Sequence, residues 1–271
     1  MTADVTEELR RLGMRPVKSL GQNFLQDDDI AERIVEAAGL TSKDKVLEIG
    51  PGLGTLTDEI MKKAGKTIAI EKDASLVGYL EGRYSDTRFD VEIIQGDVLE
   101  RDLPDFGKVI SNLPFSISSP ITFRLLKEDF SFGVLTYQKE YAERMVAEPG
   151  EEDYSRLSVM VSTLADLEIL FDVPRNAFYP PPSVDASVIR MVPSRPPFPL
   201  KYEDAFSKVV KELFNYRRKK IKNALKNGLR TKIGEVPYGD RRVGNLSPVE
   251  INDIVNHLVE KGILDEDSSE N

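Results

Sequence analysis

The sequence has no cysteine and only one histidine, His257, among its 271 residues. Without cysteine the chain cannot form disulfide bonds, thiolate metal sites or a cysteine nucleophile, and one histidine cannot make a histidine-rich metal site. A Ser-His-Asp triad would have to use His257, which lies in an amphipathic helical pattern where a surface or packing role is expected. We therefore predict no bound metal and a chemistry that needs neither thiol nor imidazole.

Long apolar runs are also missing. No stretch reaches the roughly 18 apolar residues of a membrane-spanning helix, and residues 1–13 are polar, unlike a signal peptide. We therefore expect a cytoplasmic protein with no membrane partner. The composition, 40% hydrophobic and 31% charged, is typical of a globular chain. Its length suits one large domain or a large domain with a small one.

Positive charge is concentrated in one stretch, although the net charge of the chain is −9. Between Lys208 and Lys232 there are ten basic residues and one acidic residue, so this stretch carries +9 and the remainder −18. Such segregation is typical of proteins that bind a phosphate backbone. The alternative is a solvated helix face. The candidate contacts are Arg217, Arg218, Lys219, Lys220 and Lys222, and a smaller basic cluster comprises Arg10, Arg11, Arg15 and Lys18.

Short apolar runs alternate with amphipathic stretches over the first half of the chain. The predicted strands are Lys45–Gly50, Lys66–Glu71, Val91–Asp97, Lys108–Ser111 and Phe132–Tyr137. The predicted helices are Asp29–Leu40, Thr57–Ala64 and Ala74–Arg83. Strands that alternate with helices in this way indicate an α/β fold with a parallel sheet covered on both faces.

The pattern changes after Met145. Three further strands are predicted, one of them antiparallel: Leu157–Leu164, Leu167–Val173 and Ser187–Val192. A proline-rich linker, Pro193–Pro199, then precedes helices predicted over Tyr202–Asn227 and Pro248–Lys261. We therefore expect a first domain over residues 1–195 and a helical domain over 200–271, whose acidic tail, Asp265–Glu270, is expected to be disordered.

A glycine-rich turn and polar strand ends predict a cofactor site. Gly50 and Gly52 follow the first of these strands, and glycines there let the backbone approach a ligand closely. The G-x-G-x-G spacing, with no basic residue in the turn, favours a cofactor without a pyrophosphate. Glu71 is placed to bind ribose hydroxyls, and Asp97 to bind an adenine amino group. Although turns in general favour such residues, this succession indicates S-adenosylmethionine.

The tetrapeptide Asn112-Leu113-Pro114-Phe115 comes directly after the fourth of these strands. It suits methyl transfer to the amino group of a flat heterocycle, which is a poor nucleophile. The Asn112 side-chain carbonyl and the Leu113 backbone carbonyl would accept its two N–H bonds, while Pro114 fixes the turn. Phe115 would stack on an unpaired base. The alternative is a strand-ending turn with a core aromatic residue.

These motifs resemble the small-subunit ribosomal RNA adenine dimethyltransferase family in its archaeal form. The matching segments are Leu20–Leu25, Glu48–Thr57, Glu71, Gly96–Asp97, Asn112–Phe115, Gln138–Met145, Arg156–Ser158 and Phe178–Val184. The resemblance is strong over residues 15–195 and looser over the helical C-terminus. It implies a seven-stranded, Rossmann-like class I methyltransferase domain followed by a small all-helical domain that helps to hold RNA.

The resemblance also implies the reaction, which is dimethylation of two adjacent adenosines in a hairpin loop near the 3′ end of small-subunit RNA. By position, Asn23 and Leu25 would contact the methionine part of the cofactor, and Asn112 would border the same pocket. Phe115 stands where many members have tyrosine. Phe178 and Tyr179 either form the opposite wall of the base pocket or pack in the core.

The implied partner is small-subunit ribosomal RNA in a precursor of a 30S-type particle, and we expect a monomer. Two alternatives stay open. A DNA adenine methyltransferase shares the Asn-x-Pro-aromatic pattern, although the C-terminus looks too small for a base-reading domain. The second alternative is a ribosome-assembly factor whose binding matters more than its catalysis.

Overall fold

The computed structural model describes residues 5–17 and 20–265 of the chain. Lys18 of the N-terminal basic cluster and residues 266–270 of the acidic tail lie outside the described residues. The described helices are α1 (Val5–Arg11), α2 (Asp28–Ala37), α3 (Thr55–Lys63), α4 (Ala74–Tyr84), α5 (Ser118–Leu125), α6 (Lys139–Val146), α7 (Arg156–Ser162), α8 (Glu203–Phe214), α9 (Ile221–Gly228) and α10 (Pro248–Glu260). The described strands are β1 (Phe24–Leu25), β2 (Lys45–Ile49), β3 (Lys66–Glu71), β4 (Val91–Gln95), β5 (Lys108–Asn112), β6 (Phe132–Gln138), β7 (Ala165–Val173), β8 (Phe178–Tyr179) and β9 (Ala186–Pro193).

Seven strands form the central sheet in the order β4-β3-β2-β5-β6-β9-β7. The pairs from β4 to β6 are parallel, as predicted. Strand β9 runs antiparallel to β6, with Ile189 opposite Leu135. The chain passes from β2 to β3 on one side, and β5 lies on the other side of β2. This reversal of strand order opens a crevice beyond the carboxyl ends of the strands, where ligands bind in sheets of this type.

Local hydrogen bonds explain where two of the helices begin. The Asp73 carboxylate accepts the Ser75 backbone N–H at 3.0 Å and so caps α4. Ser247 and Glu250 form a reciprocal capping box at the start of α10, and Pro248 occupies its first turn. The predicted C-terminal helix is therefore confirmed from its first residue.

The strand predicted over 157–164 is wrong, because this segment forms helix α7. A capping box starts the helix, in which the Ser155 backbone N–H donates to Ser158 Oγ at 2.9 Å. Serine takes the place of the usual acidic partner in this box, so the signal is weak in the sequence. The apolar residues of this segment serve as buried helix positions, among them Val159 and Val161.

The single helix predicted over 202–227 is two helices, α8 and α9. Between them, the backbone carbonyls of Arg217 and Lys219 accept the N–H groups of Gly244 and Val243, both at 3.1 Å. Lys220 forms an antiparallel bridge with Arg242. Residues 217–222 and 239–244 thus make a short two-segment structure, which we call the basic ribbon. The helix ends here because these backbone groups bond to the second segment and not along a helix.

The chain divides into two compact units. The first comprises the described residues up to Ala142 together with Leu167–Pro193, and the second comprises Glu143–Asp166 and the described residues from Ser194 onward. The expected boundary near residue 195 therefore needs one correction, since residues 143–166 belong to the second unit. Their side chains, including Tyr154, complete its apolar cluster with residues of α8 and α10. Sequence order does not reveal this, because the cluster joins segments distant along the chain.

Within the part of the chain that the structure describes, no helix has the length and apolar character needed to span a bilayer.

Candidate active site

The site is an open cleft in the first unit. Its walls come from the segment before α2, from the turn after β2 and from the ends of β3 and β5. The predicted cofactor residues and the tetrapeptide therefore meet in one place, with Asn23, Leu25, Gly50, Gly52, Glu71, Asp97, Asn112, Leu113, Pro114 and Phe115 all lining it.

Two glycines keep the floor of the cleft open. Gly50 and Gly52 have φ angles of 68° and 61°, in the left-handed region that side chains rarely adopt. A Cβ atom on Gly52 would lie 2.9 Å from the Phe24 ring, and one on Gly50 would lie 3.3 Å from the Pro114 ring. The turn therefore requires glycine both for its backbone conformation and for the space above it.

Glu71 ends β3 beside this turn and is only 6% exposed. Its carboxylate accepts the backbone N–H of Gly52 at 3.3 Å and that of Asp73 at 2.9 Å. Burial raises the pKa of the Glu71 carboxyl, and the backbone hydrogen bonds act in the opposite direction. The two amides fix the carboxylate at the cleft wall, where its remaining acceptor capacity can serve ligand hydroxyls.

Asp97 lies two residues beyond β4 at the same edge of the sheet. Lys72 Nζ donates to Asp97 Oδ2 at 2.6 Å, and the Leu99 backbone N–H donates to Oδ1 at 2.9 Å. The hydrogen bond from Lys72 is the main reason that the pKa of Asp97 lies below its ordinary value. Asp97 is therefore a fixed, ionised acceptor, and Lys72 is a cleft residue that the sequence prediction omitted.

Asn112 ends β5 and lines the cleft. Its Nδ2 donates to the backbone carbonyl of Asn23 at 3.3 Å, which orients the amide. Its Oδ1 is buried and has no hydrogen-bond partner among the described residues. A buried unsatisfied acceptor costs about 1–3 kcal/mol, so such an atom at a cleft marks a place where a ligand donor belongs.

The aromatic residues near the tetrapeptide divide between cleft and core. Phe115 is partly exposed in the cleft and meets Phe178 edge-on, with ring centroids 6.4 Å apart. Phe178 is 1% exposed and packs in a core cluster with Ile30 and Ile34. Tyr179 packs in a second cluster with Val5 and Leu9 of α1. Of the two readings of Phe178 and Tyr179, the structure supports core packing.

The segment before α2 is held to the glycine turn and to β8. Leu25 pairs with Phe178, and its carbonyl accepts the Thr55 hydroxyl at 2.9 Å. Asn23 Nδ2 donates to the carbonyl of Gly21 at 3.1 Å. These bonds place Asn23 and Leu25 at the cleft. Their contact with the methionine part of the cofactor stays a prediction.

Glu48 is a second cleft residue that the prediction omitted. It is 1% exposed, and Thr57 Oγ1 donates to it at 2.6 Å. Burial raises its pKa to about 8. Its position, one residue before the end of β2 and next to the glycine turn, is the sequence signal that could have identified it.

The predicted RNA contacts lie in the second unit, and they differ in exposure and in their bonds to other protein groups. Arg217 Nε donates to the carbonyl of Tyr154 at 2.8 Å, and the guanidinium also bonds to the carbonyl of Glu151. These bonds give Arg217 a structural role, and its contact with RNA stays a prediction. Lys220 pairs with Asp240 at 2.9 Å. The predicted contacts Arg218, Lys219 and Lys222 are exposed, and so is Arg242, which the sequence prediction omitted.

The strand order, the glycine turn and the polar strand ends are those of the class I S-adenosylmethionine-dependent methyltransferases. The predicted fold class is therefore confirmed. Residues 14–260 match the family model described as ribosomal RNA adenine dimethylase, and the chain belongs to that family.

Relatives are similar to this chain over nearly its whole length. A protein of Thermococcus gammatolerans named "Probable ribosomal RNA small subunit methyltransferase A" is 44% identical, with 94% of this chain and 93% of the relative covered. A dimethyladenosine transferase from Plasmodium falciparum has a similar structure, with a TM-score of 0.78, 27% identity and coverage of 88% and 98%. The 23S rRNA methyltransferase ErmE follows with a TM-score of 0.67, 25% identity and coverage of 87% and 99%.

Proposed function

We propose that this protein dimethylates the amino groups of two adjacent adenosines in a hairpin loop near the 3′ end of small-subunit ribosomal RNA, with S-adenosylmethionine as donor. The observation that carries the proposal is the buried, unpartnered Oδ1 of Asn112 beside the glycine turn. An exocyclic amine supplies the donor that this atom lacks. The family and the names of the relatives support the choice of ribosomal RNA as substrate.

The residues of the cleft fit the proposed cofactor. Glu71 offers acceptor capacity for ribose hydroxyls, and Asp97 offers it for the adenine amino group. The open turn at Gly50 and Gly52 leaves room for backbone contact with the ligand. When bound, S-adenosylmethionine supplies a methyl group that is already activated for transfer.

The chain then has to position the target amine and raise its nucleophilicity. Asn112 Oδ1 and the Leu113 carbonyl accept the two N–H bonds of the amine and draw its nitrogen toward tetrahedral geometry. Phe115 stacks on the base after the base leaves its loop. Because the donor is activated, orientation and hydrogen bonding supply most of the rate enhancement.

The direct test is incubation of purified small-subunit RNA, or unmodified precursor particles, with methyl-labelled S-adenosylmethionine, followed by nuclease digestion and mass spectrometry. We expect label in N6-dimethyladenosine from one hairpin near the 3′ end. Label in DNA but not in RNA would instead favour a DNA adenine methyltransferase. Restored ribosome maturation with no label in any nucleic acid would favour an assembly factor.

We propose further that the basic ribbon holds the RNA backbone. Its two segments bring Arg242 beside Lys220 across the bridge, and Arg218 and Lys219 are exposed on the first segment. Basic side chains that contact phosphates release counterions, so binding that depends on them weakens as salt increases. The concentration of +9 between Lys208 and Lys232 supports this surface over a randomly charged one.

Replacing Arg218, Lys219 and Arg242 together with alanine is therefore expected to weaken RNA binding and to reduce the slope of log affinity against log salt by about 2, at about 0.7 per lost single-strand phosphate contact. Fluorescence anisotropy over a salt series measures both quantities. The charge-matched control replaces Lys43, Arg88 and Lys127, which are exposed in the first unit. Equal salt slopes for the two triple variants would mean that the basic ribbon is a solvated surface that does not hold RNA.

A further inference from the structure

Gln22, in the Leu20–Leu25 motif, lines the cleft, and its side-chain amide joins the segment after α1 to the β3–α4 turn. Its Oε1 accepts the Val17 backbone N–H at 2.8 Å. Its Nε2 donates to Asp73 Oδ2 at 3.1 Å. Because the acceptor end faces a backbone amide and the donor end faces a carboxylate, the orientation of the Gln22 amide is determined.

Asp73 connects Gln22 to Glu71, whose carboxylate is proposed to bind the ribose. Asp73 presents its backbone N–H to Glu71 Oε1 at 2.9 Å. Its second carboxylate oxygen, Oδ1, caps α4 through the Ser75 N–H at 3.0 Å. The Val77 backbone N–H also donates to the Asp73 carbonyl at 3.0 Å, and among these bonds the one from Gln22 comes from a side chain outside the β3–α4 turn.

On the other side, Gln22 ties down the chain that leads from α1. Val5 and Leu9 of α1 pack with Phe24, Leu53 and Leu76. The last three of these side chains also line the cleft. The N-terminal segment is therefore packed against the cleft wall by apolar contacts, and the Gln22 amide joins it to the turn that carries Glu71.

We infer that Gln22 is a positioning residue for the cofactor, which acts through Asp73 to hold the Glu71 carboxylate where it binds the donor. The inference rests on the proposed S-adenosylmethionine site. It predicts that changes at Gln22 weaken cofactor binding, while the chemistry at Asn112 proceeds at its normal rate once the cofactor is saturating.

The test is a charge-swap cycle measured by calorimetry with S-adenosylmethionine alone. Gln22→Glu places two carboxylates in contact and removes the donor, so we expect Kd to rise about tenfold or more. Gln22→Glu with Asp73→Asn restores a complementary pair, because the new amide at position 73 can donate to the new carboxylate at position 22 while its oxygen still caps α4. In this double variant Kd is expected to return to within about threefold of wild type.

The matched control is Gln26→Glu, which adds the same charge nearby. Gln26 is exposed, bonds to the backbone carbonyl of Asn176 at 3.0 Å and is not among the cleft residues. Its Kd is expected to stay at the wild-type value. Single-turnover rates at saturating cofactor and RNA are expected to be alike in all these variants, and thermal unfolding without ligand checks that each one folds.

Three outcomes overturn the inference: Gln22→Glu with wild-type affinity, a double variant that binds no better than Gln22→Glu, or a loss of rate that saturating cofactor does not restore. Failure of the wild-type protein to bind S-adenosylmethionine would contradict the proposed function itself. The two failures are therefore distinguishable in the same set of titrations.

Discussion

Replacing Asn112 with alanine is expected to slow methyl transfer about a hundredfold or more, by analogy with the loss of one transition-state hydrogen bond. The variant removes the buried, unpartnered Oδ1 that is proposed to accept an N–H of the target amine. One acceptor, the Leu113 carbonyl, would remain. A single-turnover assay with saturating RNA and cofactor measures the rate without contributions from binding or product release.

Affinity for RNA is expected to change little in this variant, because phosphate contacts dominate it. Asn176→Ala is the matched control, since Asn176 is exposed in the same unit and is not among the cleft residues. Its rate is expected to equal that of wild type. A wild-type rate in Asn112→Ala would mean that the tetrapeptide is only a turn, and the mechanism proposed above would be wrong.

Glu71→Ala is expected to weaken binding of S-adenosylmethionine by about 1.5–3 kcal/mol, the value of a hydrogen bond to a charged group. The carboxylate also anchors the Gly52 and Asp73 backbone N–H groups, so its loss frees the turn as well. Isothermal titration calorimetry with the cofactor alone gives the difference directly.

The control for this variant is Glu92→Ala on β4. Glu92 forms a surface ion pair with Lys66 at 2.7 Å and lies outside the cleft. Exposed pairs of this kind contribute about 1 kcal/mol or less to stability, and cofactor affinity is expected to be unchanged. Equal affinities of Glu71→Ala and Glu92→Ala for S-adenosylmethionine would mean that Glu71 does not bind the ribose.

Three of the cleft residues were predictable because their positions follow from strand ends alone. Glu71 and Asn112 end their strands, and Asp97 closely follows β4. Carboxyl ends of parallel strands come together at one edge whatever the helices between them do. The roles of Asn23 and Leu25 needed the family resemblance, since a loop before a helix has no periodicity that indicates a ligand.

The sequence did not predict which basic side chains of this stretch bond to the protein itself and which are exposed to solvent. Arg217 and Arg218 are neighbours of the same type, yet Arg217 bonds to two backbone carbonyls and Arg218 is exposed. Arg242 joins this surface only through pairing between residues 217–222 and 239–244. Charge counts along a sequence contain no information about such pairing.

The sequence by itself determined the α/β fold class, the sheet edge where the cofactor site is proposed and the tetrapeptide proposed to act on the amine, because each depends on short-range patterns: strand periodicity, glycine spacing and the residues at strand ends. Tertiary structure decided which polar atoms remain unpartnered, as at Asn112 Oδ1, and which are already used, as at Arg217. It also decided that residues 143–166 belong to the second unit and that Gln22 meets Asp73. The physical reason is that hydrogen bonds and apolar contacts between distant segments depend on packing in three dimensions, which local sequence patterns do not encode.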